Sequence, residues 1–247
     1  MEVVVVAQQE DCLPLARSIA GETGLPLWEN GAGEADYLLM VTPQGLEVQC
    51  RLAPREKPLQ LAWLQGTLAY RCKQGGKEQL ARAMGKGQPL ILDATAGLGQ
   101  DAFVLACQGY SVTMMERNPL LAALLRDGLQ RLAQQAEGQS LALRLKLQAG
   151  DSVDYMLANG GGHEVVYLDP MYPQQPRKAA QKKEMRHLRS LLGEEDGGER
   201  LLLAALGYAN RRVVVKRPSW APPLPGPSPA LTLPGSSTRF DIYLIQG

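Results

Sequence analysis

The stretch that most constrains the fold lies at residues 89–109, where an apolar run, a glycine-rich turn and a helical pattern follow one another. Residues 90–92 are apolar, which fits a buried strand and is too short for a helix. Gly97 and Gly99 supply a turn whose backbone can come close to a ligand. From Gln100 the apolar residues recur at helical spacing. Because the first free N–H groups of a helix point into such a turn, the stretch predicts a nucleotide-binding corner.

Two cofactor classes fit this corner. Residues 97–102 match the dinucleotide pattern G-x-G-x-x-A, and Glu116 supplies the acid expected about 20 residues further on. A carboxylate there accepts hydrogen bonds from the ribose hydroxyls of either a nicotinamide dinucleotide or S-adenosylmethionine. Asp93 before the glycines and Asp101 after them would repel a pyrophosphate but suit a cofactor with a sulfonium and an ammonium. These residues favour S-adenosylmethionine and leave the dinucleotide open.

Composition bounds the class of protein. A chain of 247 residues accommodates one α/β domain and a smaller appendage, and a net charge of +1 means that any basic surface is local. The four cysteines form no C-x-x-C pair and only two histidines accompany them, so we expect reduced thiols and no metal site. We see no signal peptide and no apolar run long enough to cross a bilayer, and we expect a cytoplasmic protein with no membrane partner.

The pattern predicts three regions. Residues 1–56 form a small α+β unit, 57–88 a helical linker that Gly75-Gly76 breaks in two, and 89–247 the catalytic domain. In that domain strands alternate with helices, which predicts a mostly parallel sheet with helices on both faces and an antiparallel last strand. The expected elements are strands at 112–116, 143–147, 164–168, 212–216, 230–233 and 239–245, and helices at 119–132, after Ser152 and at 177–192.

Acids follow four successive predicted strands. They are Asp93, Glu116, Asp151 and Asp169. Because ligands of doubly wound sheets bind outside the carboxyl ends of the strands, we expect all four to line one edge. Asp151 is equally well explained as a helix cap, and Asp101 as a first-turn acid that complements the helix dipole.

The tetrapeptide Asp169-Pro170-Met171-Tyr172 is the sharpest chemical signal. An exocyclic amine on a base is a poor nucleophile because its lone pair is delocalised into the ring. A carboxylate and a backbone carbonyl can accept its two N–H groups and orient the lone pair toward an electrophile, proline fixes the chain, and an aromatic ring can stack on the base. The alternative is a proline-rich loop with an aspartate cap.

A basic segment follows this tetrapeptide. It carries Arg177, Lys178, Lys182, Lys183, Arg186 and Arg189 against a single acid, Glu184. A solvated helix face explains such a run, but beside a base pocket a track for RNA phosphates is the better interpretation. Four cations later in the chain, Arg211, Arg212, Lys216 and Arg217, are candidates to extend it.

Six stretches together resemble the ribosomal RNA small subunit methyltransferase J family. They are DATAGLGQDAF at 93–103, MERNP at 115–119, YLDPMYP at 167–173, KKEMR at 182–186, VVVKRP at 213–218 and RFDIY at 239–243. The similarity runs from about residue 70 to the end. It implies S-adenosylmethionine-dependent methylation of the exocyclic N2 of a guanine in 16S rRNA, as naked rRNA or within the small ribosomal subunit.

The resemblance also assigns residues. It places cofactor contacts on Gln100, Asp101, Glu116, Arg117, Asp151, Ser152 and Asp169, with Gln100 where a basic residue is expected and Asp151 where a serine is. It adds Lys73, Lys77 and Arg82 to the RNA-facing surface.

We therefore predict a class I methyltransferase fold, with a Rossmann-like seven-stranded sheet. Glu116 holds the ribose, the adenine lies near Asp151 and Ser152, and the methionyl end faces the segment from Asp93 through Gly97 to Gly99. The catalytic residues are Asp169, Pro170 and Tyr172. The alternatives are an amino-methyltransferase for adenine N6, cytosine N4 or a protein glutamine, and a non-catalytic RNA-binding protein that retains the pocket.

Overall fold

The computed structural model describes residues 2–29, 34–73, 79–170 and 198–245. These residues divide into two compact units. The first unit contains the described residues up to Ala62, together with Asn118–Arg131. The second contains Trp63–Arg117 and the described residues from Leu132 onward. The predicted boundaries at 56 and 88 stay a prediction.

The first unit is built on a four-stranded sheet in the order β2-β1-β3-β4. Its elements are β1 (Val3–Ala7), α1 (Leu13–Thr23), β2 (Leu27–Trp28), β3 (Tyr37–Thr42) and β4 (Gly45–Cys50). Strand β1 runs parallel to β2 and β3, and β3 forms an antiparallel hairpin with β4. Alternating apolar residues bury this sheet, and Gly24 ends α1 at a φ of +69°. The predicted α+β unit is confirmed, with the two-residue strand β2 added.

Seven strands of the described chain form the sheet of the second unit, in the order β10-β11-β9-β8-β5-β6-β7. They are β5 (Ile91–Asp93), β6 (Val112–Glu116), β7 (Leu145–Ala149), β8 (Val165–Leu168), β9 (Arg212–Pro218), β10 (Leu231–Leu233) and β11 (Thr238–Leu244). Among these seven, β11 alone runs against the others. The predicted class I fold with its antiparallel last strand is confirmed.

The α-helices of the chain's described part range from four to 16 residues. After α1 they are α2 (Gly66–Lys73), α3 (Gln79–Met84), α4 (Gln100–Cys107), α5 (Pro119–Gln134), α6 (Gln139–Ala142), α7 (Ser152–Asn159) and α8 (Gly198–Tyr208). None of them is long and apolar enough to span a membrane. Helix α8 was not predicted, although Leu201, Leu202 and Ala205 lie buried at helical spacing within it. The predicted basic helix at 177–192 lies outside the described residues.

The strand order places a topological switch point beside β5. From β5 the chain continues to β6 and β7 on one side, then returns to β8 and β9 on the other. Crossovers that leave in opposite directions open a crevice above the carboxyl ends of β5 and β8, where ligands of such sheets bind. Below it, a core of Leu92, Val166, Leu202 and Val213 is fully buried.

One expectation about the cysteines was wrong. Cys72 at the end of α2 and Cys107 at the end of α4 form a disulfide, whereas Cys12 and Cys50 are free and buried. The bonded pair is separated by 35 residues and forms no recognisable motif. The Cα atoms are brought within 5.3 Å only because α2 packs against α4.

Candidate functional site

A cleft of about 540 Å³ lies in the second unit, above the carboxyl ends of β5, β6, β7 and β8. That volume falls within the ordinary range for small-molecule sites. Its lining includes predicted site residues, namely Gly97, Glu116, Arg117, Asp151, Ser152, Asp169 and Pro170. The structure thus brings three of the four strand-end acids to one site, as the strand order requires.

The glycine turn and Glu116 are joined directly. Gly97 and Gly99 take the left-handed conformation, with φ of +56° and +67°, which a side chain would strain. The Gly97 N–H donates to Glu116 Oε2 over 2.9 Å, and Glu116 is only 8% exposed. The carboxylate of Glu116 is therefore fixed at the edge of the turn, facing the cleft.

Asp151 is a helix cap, as the alternative interpretation of the sequence proposed. It is the N-cap of α7, and its Oδ1 accepts the N–H groups of Val153 and Asp154 over 2.8 and 3.1 Å. The same residue lines the cleft beside Gly150 and the buried Ser152. Capping and cofactor contact are compatible, because a carboxylate has more acceptor positions than the cap uses.

Asp169 and Pro170 follow β8 immediately and form part of the cleft wall. The backbone N–H of Asp169 donates to Thr95 Oγ1 over 2.7 Å, which ties the start of the tetrapeptide to the loop after β5. Pro170 is buried. Tyr172 lies outside the described residues.

A network of charged groups lies beside Asp169. Lys216 Nζ donates to Asp101 Oδ2 over 2.6 Å and to Asp169 Oδ2 over 2.9 Å. Tyr167 donates its hydroxyl to Asp101 Oδ2 over 2.8 Å, and Arg71 pairs with Asp101 Oδ1 at 3.4 Å. Asp101 therefore contacts three side-chain donors and does not line the cleft itself.

Burial and charge shift the pKa values of this network in opposite directions. Burial raises the pKa of Asp101, but Lys216, Tyr167 and Arg71 together outweigh burial and hold that pKa below its usual value. Burial lowers the pKa of Lys216, yet the two aspartates together raise it above its usual range. Burial raises the pKa of the Tyr167 hydroxyl well above its usual value, so it stays a donor.

Asp93 differs from the other acids. It is 2% exposed, and burial is the main reason that its pKa rises to about 8. Its Oδ1 accepts the Thr95 N–H over 3.2 Å, which orders the loop above β5. Three predicted cofactor residues do not line the cleft but are close in sequence to residues that do: Asp93, Gly99 and Gln100. Gln100 is exposed at the first position of α4.

Sequence reasoning missed one wall of the cleft. It consists of the start of α8 and of the proline-rich loop after β9, through Leu201, Leu224 and Pro225. Arg217 is 2% exposed and donates from Nε and Nη2 to the Pro222 carbonyl, which folds this loop over the site. The prediction that Lys216 and Arg217 extend a phosphate track was therefore wrong, because both side chains are engaged within the protein. In the sequence, a cation at the end of a strand does not indicate whether its side chain faces solvent or bonds within the protein.

Two of the predicted RNA-facing cations are placed by the structure. Lys73 is exposed at the end of α2, and Arg82 is exposed on α3. The others, Lys77, Arg177, Lys178, Lys182, Lys183 and Arg186, lie outside the described residues.

Charged side chains of both signs line the cleft. Its polar wall includes the carboxylates of Glu116, Asp151 and Asp169. Met115 and Leu201 supply apolar contact surface for a base. The carboxylates attract an ammonium and a sulfonium, but the lining also contains three arginines, so its charge alone does not exclude a pyrophosphate.

Comparison with known proteins decides the family. A family model described as "Putative SAM-dependent methyltransferase" matches residues 23–245. A Pseudomonas aeruginosa protein named ribosomal RNA small subunit methyltransferase J is 44% identical over 97% of this chain and 93% of its own length. A protein of the same name from Thioalkalivibrio sulfidiphilus is 42% identical over 95% of this chain and 94% of its own.

The chain belongs to the ribosomal RNA small subunit methyltransferase J family. A crystal structure of a SAM-dependent methyltransferase from Neisseria gonorrhoeae, 32% identical, superimposes with a TM-score of 0.79 over 99% of this chain and 96% of that one. The resemblance inferred from the six sequence stretches is thereby confirmed, together with the fold and the use of S-adenosylmethionine. The individual site residues stay predictions.

Proposed function

We propose that this protein transfers a methyl group from S-adenosylmethionine to the exocyclic N2 of a guanine in 16S rRNA, in the cytoplasm. The class of RNA is supported by its relatives, which are named for the small ribosomal subunit. The observation that carries the proposal is the position of Asp169 and Pro170, in the same cleft wall as Glu116 and directly after β8. The same site thus offers contacts for both an amine acceptor and a nucleoside cofactor.

The cofactor contacts follow from the cleft. Glu116, already fixed by Gly97, accepts the ribose hydroxyls, and Asp151 with Ser152 borders the adenine. When bound, the cofactor supplies an electrophilic methyl group on a sulfonium, which takes the bonding electron pair as the methyl moves to N2. The glycine turn allows the backbone to approach closely, because no Cβ intervenes.

Asp169 and the Pro170 carbonyl act on the acceptor. They accept the two N–H bonds of guanine N2, which turns its lone pair out of conjugation and toward the methyl group. Once the new C–N bond has formed, the Asp169 carboxylate takes one of those protons from the nitrogen and passes it to solvent. Positioning and electrostatics supply the rate enhancement, so the reaction needs neither a metal ion nor a covalent intermediate.

We propose that the RNA presents an unstacked guanine, because an enzyme that does chemistry on a base takes that base into its pocket. Tyr172 is proposed to stack on the extruded guanine. Lys73 and Arg82 are proposed to contact phosphates, with Lys77 and the basic segment at 177–186. Such contacts predict binding that weakens steeply as salt rises.

The test is transfer of labelled methyl groups to four acceptors: small ribosomal subunits, naked 16S rRNA, DNA and protein. The subunits and the rRNA should be taken from cells that lack the enzyme, and the product nucleoside identified by mass spectrometry. We expect N2-methylguanosine, with no effect of a chelator. Asp169→Ala should abolish transfer, whereas Asp11→Ala, which removes an exposed acid of the first unit, should leave it unchanged.

Other results would contradict the proposal. Methyladenosine, methylcytidine or methylated protein would identify a different amine acceptor. Tight RNA binding without transfer to any acceptor would identify a non-catalytic RNA-binding protein. Full activity of Asp169→Ala would show that the tetrapeptide does not present the amine.

A further inference from the structure

Lys216 occupies a position between the cofactor corner and the acceptor loop. It lies on β9, which pairs with β8 so that Leu168 is opposite Val215. The residue after each of these positions is therefore Asp169 on one strand and Lys216 on the other. This register places the ammonium within hydrogen-bonding distance of the acid that ends β8.

The ammonium is held from two sides. Asp101 Oδ2, on α4, accepts from Lys216 over 2.6 Å and is itself held by the Tyr167 hydroxyl at 2.8 Å. With Asp101 held in this way, the Lys216 ammonium is anchored independently of Asp169. The contact of 2.9 Å to Asp169 Oδ2 is therefore a fixed point for the carboxylate.

Two further charged groups of the described residues belong to the same cluster. Arg71 is directed at Asp101 Oδ1, and Asp93 is a further acid of the same cluster. Lys216 compensates the charges of Asp101 and Asp169, which both approach its ammonium, and without it their mutual repulsion would favour protonation or displacement of Asp169. A protonated or displaced Asp169 is a poor acceptor for an N–H group.

We propose that Lys216 is a positioning residue for methyl transfer, which holds the Asp169 carboxylate charged and oriented toward the acceptor amine. The proposal rests on the proposed function, since it gives Asp169 its role. Lys216 itself contacts neither the acceptor nor the cofactor in this account. We therefore expect the effect of its removal on kcat to depend on the Asp169 carboxylate.

A double-mutant cycle tests this dependence. The variants are Lys216→Met, Asp169→Asn and the two combined, assayed for kcat and KM with the rRNA acceptor. We expect Lys216→Met to lower kcat about 30-fold or more with a KM within about threefold, as for loss of a charged contact. In the Asp169→Asn background the same change should lower kcat less than about threefold, because no carboxylate remains to be held.

Two further variants complete the design. Lys216→Arg retains the positive charge and should keep at least about a third of the wild-type kcat. If Lys216 only filled space in the structure, the charge of its replacement would make no such difference between Lys216→Arg and Lys216→Met. Lys146→Met is the matched control, because Lys146 is an exposed lysine on β7 of the same sheet, and it should behave as wild type. If Lys216→Met does not fold, Lys216→Gln takes its place in the same cycle.

Failure of the positioning role and failure of the proposed function give different results. Equal losses from Lys216→Met in both backgrounds, or no loss in either, would overturn the positioning role while wild-type transfer upholds the proposed function. Absence of methyl transfer by the wild type would overturn the proposed function, and the role of Lys216 with it.

Discussion

Removing the Glu116 carboxylate should raise the Kd for the cofactor, by an amount that follows from the energy of a hydrogen bond to a charged group. Glu116 Oε2 already accepts the Gly97 N–H at 2.9 Å, so the side chain is oriented before the cofactor arrives. A hydrogen bond to a charged group contributes about 1.5–3 kcal/mol net. Glu116→Gln keeps an acceptor but loses the charge, and a loss of about 2 kcal/mol corresponds to an approximately 30-fold rise in Kd.

Glu116→Ala should have a larger effect, because it also releases the Gly97 N–H. The buried donor is then left without its acceptor, which adds about 1 kcal/mol and brings the rise in Kd to about 100-fold or more. Titration calorimetry with S-adenosylmethionine measures both variants, with Asp11→Asn as the control for loss of an exposed acid. Thermal unfolding in the absence of cofactor separates lost binding from lost folding.

A cofactor analogue that lacks a ribose hydroxyl identifies the contact itself. The deoxy analogue should bind wild type less tightly than the parent compound, and Glu116→Ala should bind the two equally. A Kd within about threefold of wild type for both variants would refute the assignment of Glu116 to the ribose. So would an equal loss with the analogue in wild type and Glu116→Ala.

Three further predictions concern stability. Burial raises the pKa of Asp93 from 3.8 to about 8, so the contribution of the protonated Asp93 to the free energy of unfolding is fully present below the unfolded pKa and is lost as pH rises through about 8. Urea unfolding of the cofactor-free protein should therefore show that wild type loses stability relative to Asp93→Asn between these two pH values. Parallel pH profiles of the two proteins would contradict this prediction. Cys72→Ser, or reduction of the bond to Cys107, should lower the free energy of unfolding by about 4 kcal/mol for a loop of this length, and reductant should then have no further effect on the variant. Leu202→Ala, at a fully buried position, should cost about 2–5 kcal/mol by the same measurement, and a cost below about 1 kcal/mol would mean that this core is loosely packed.

The elements that carry local signals were predictable from the sequence. Helix α4 begins at Gln100 and β6 spans Val112–Glu116, as the change from strand to helical periodicity indicated. Glycines at a positive φ and acids at strand ends are also local, so the glycine turn and the acids of the cleft were found. The pattern of the buried leucines in α8 was present in the sequence, but it says nothing of which wall of the cleft that helix forms.

The features that depend on register were not predictable. Lys216 meets acids that lie 115 and 47 residues away in the chain: the pairing of β8 with β9 brings it to Asp169, and the position of α4 brings it to Asp101. From sequence it resembled a surface cation. Arg217 and the Cys72–Cys107 pair are of the same kind, because their partners are determined by packing and not by spacing.

The central claim is that Glu116 and the acids beside it hold S-adenosylmethionine in the cleft while Asp169 and Pro170 present an amine to its methyl group. A crystal structure of the protein with that cofactor tests it most directly. We predict the ribose hydroxyls within hydrogen-bonding distance of the Glu116 carboxylate and the methyl group directed toward Asp169. A cofactor bound elsewhere, or one whose methyl group points away from Asp169, would contradict the account.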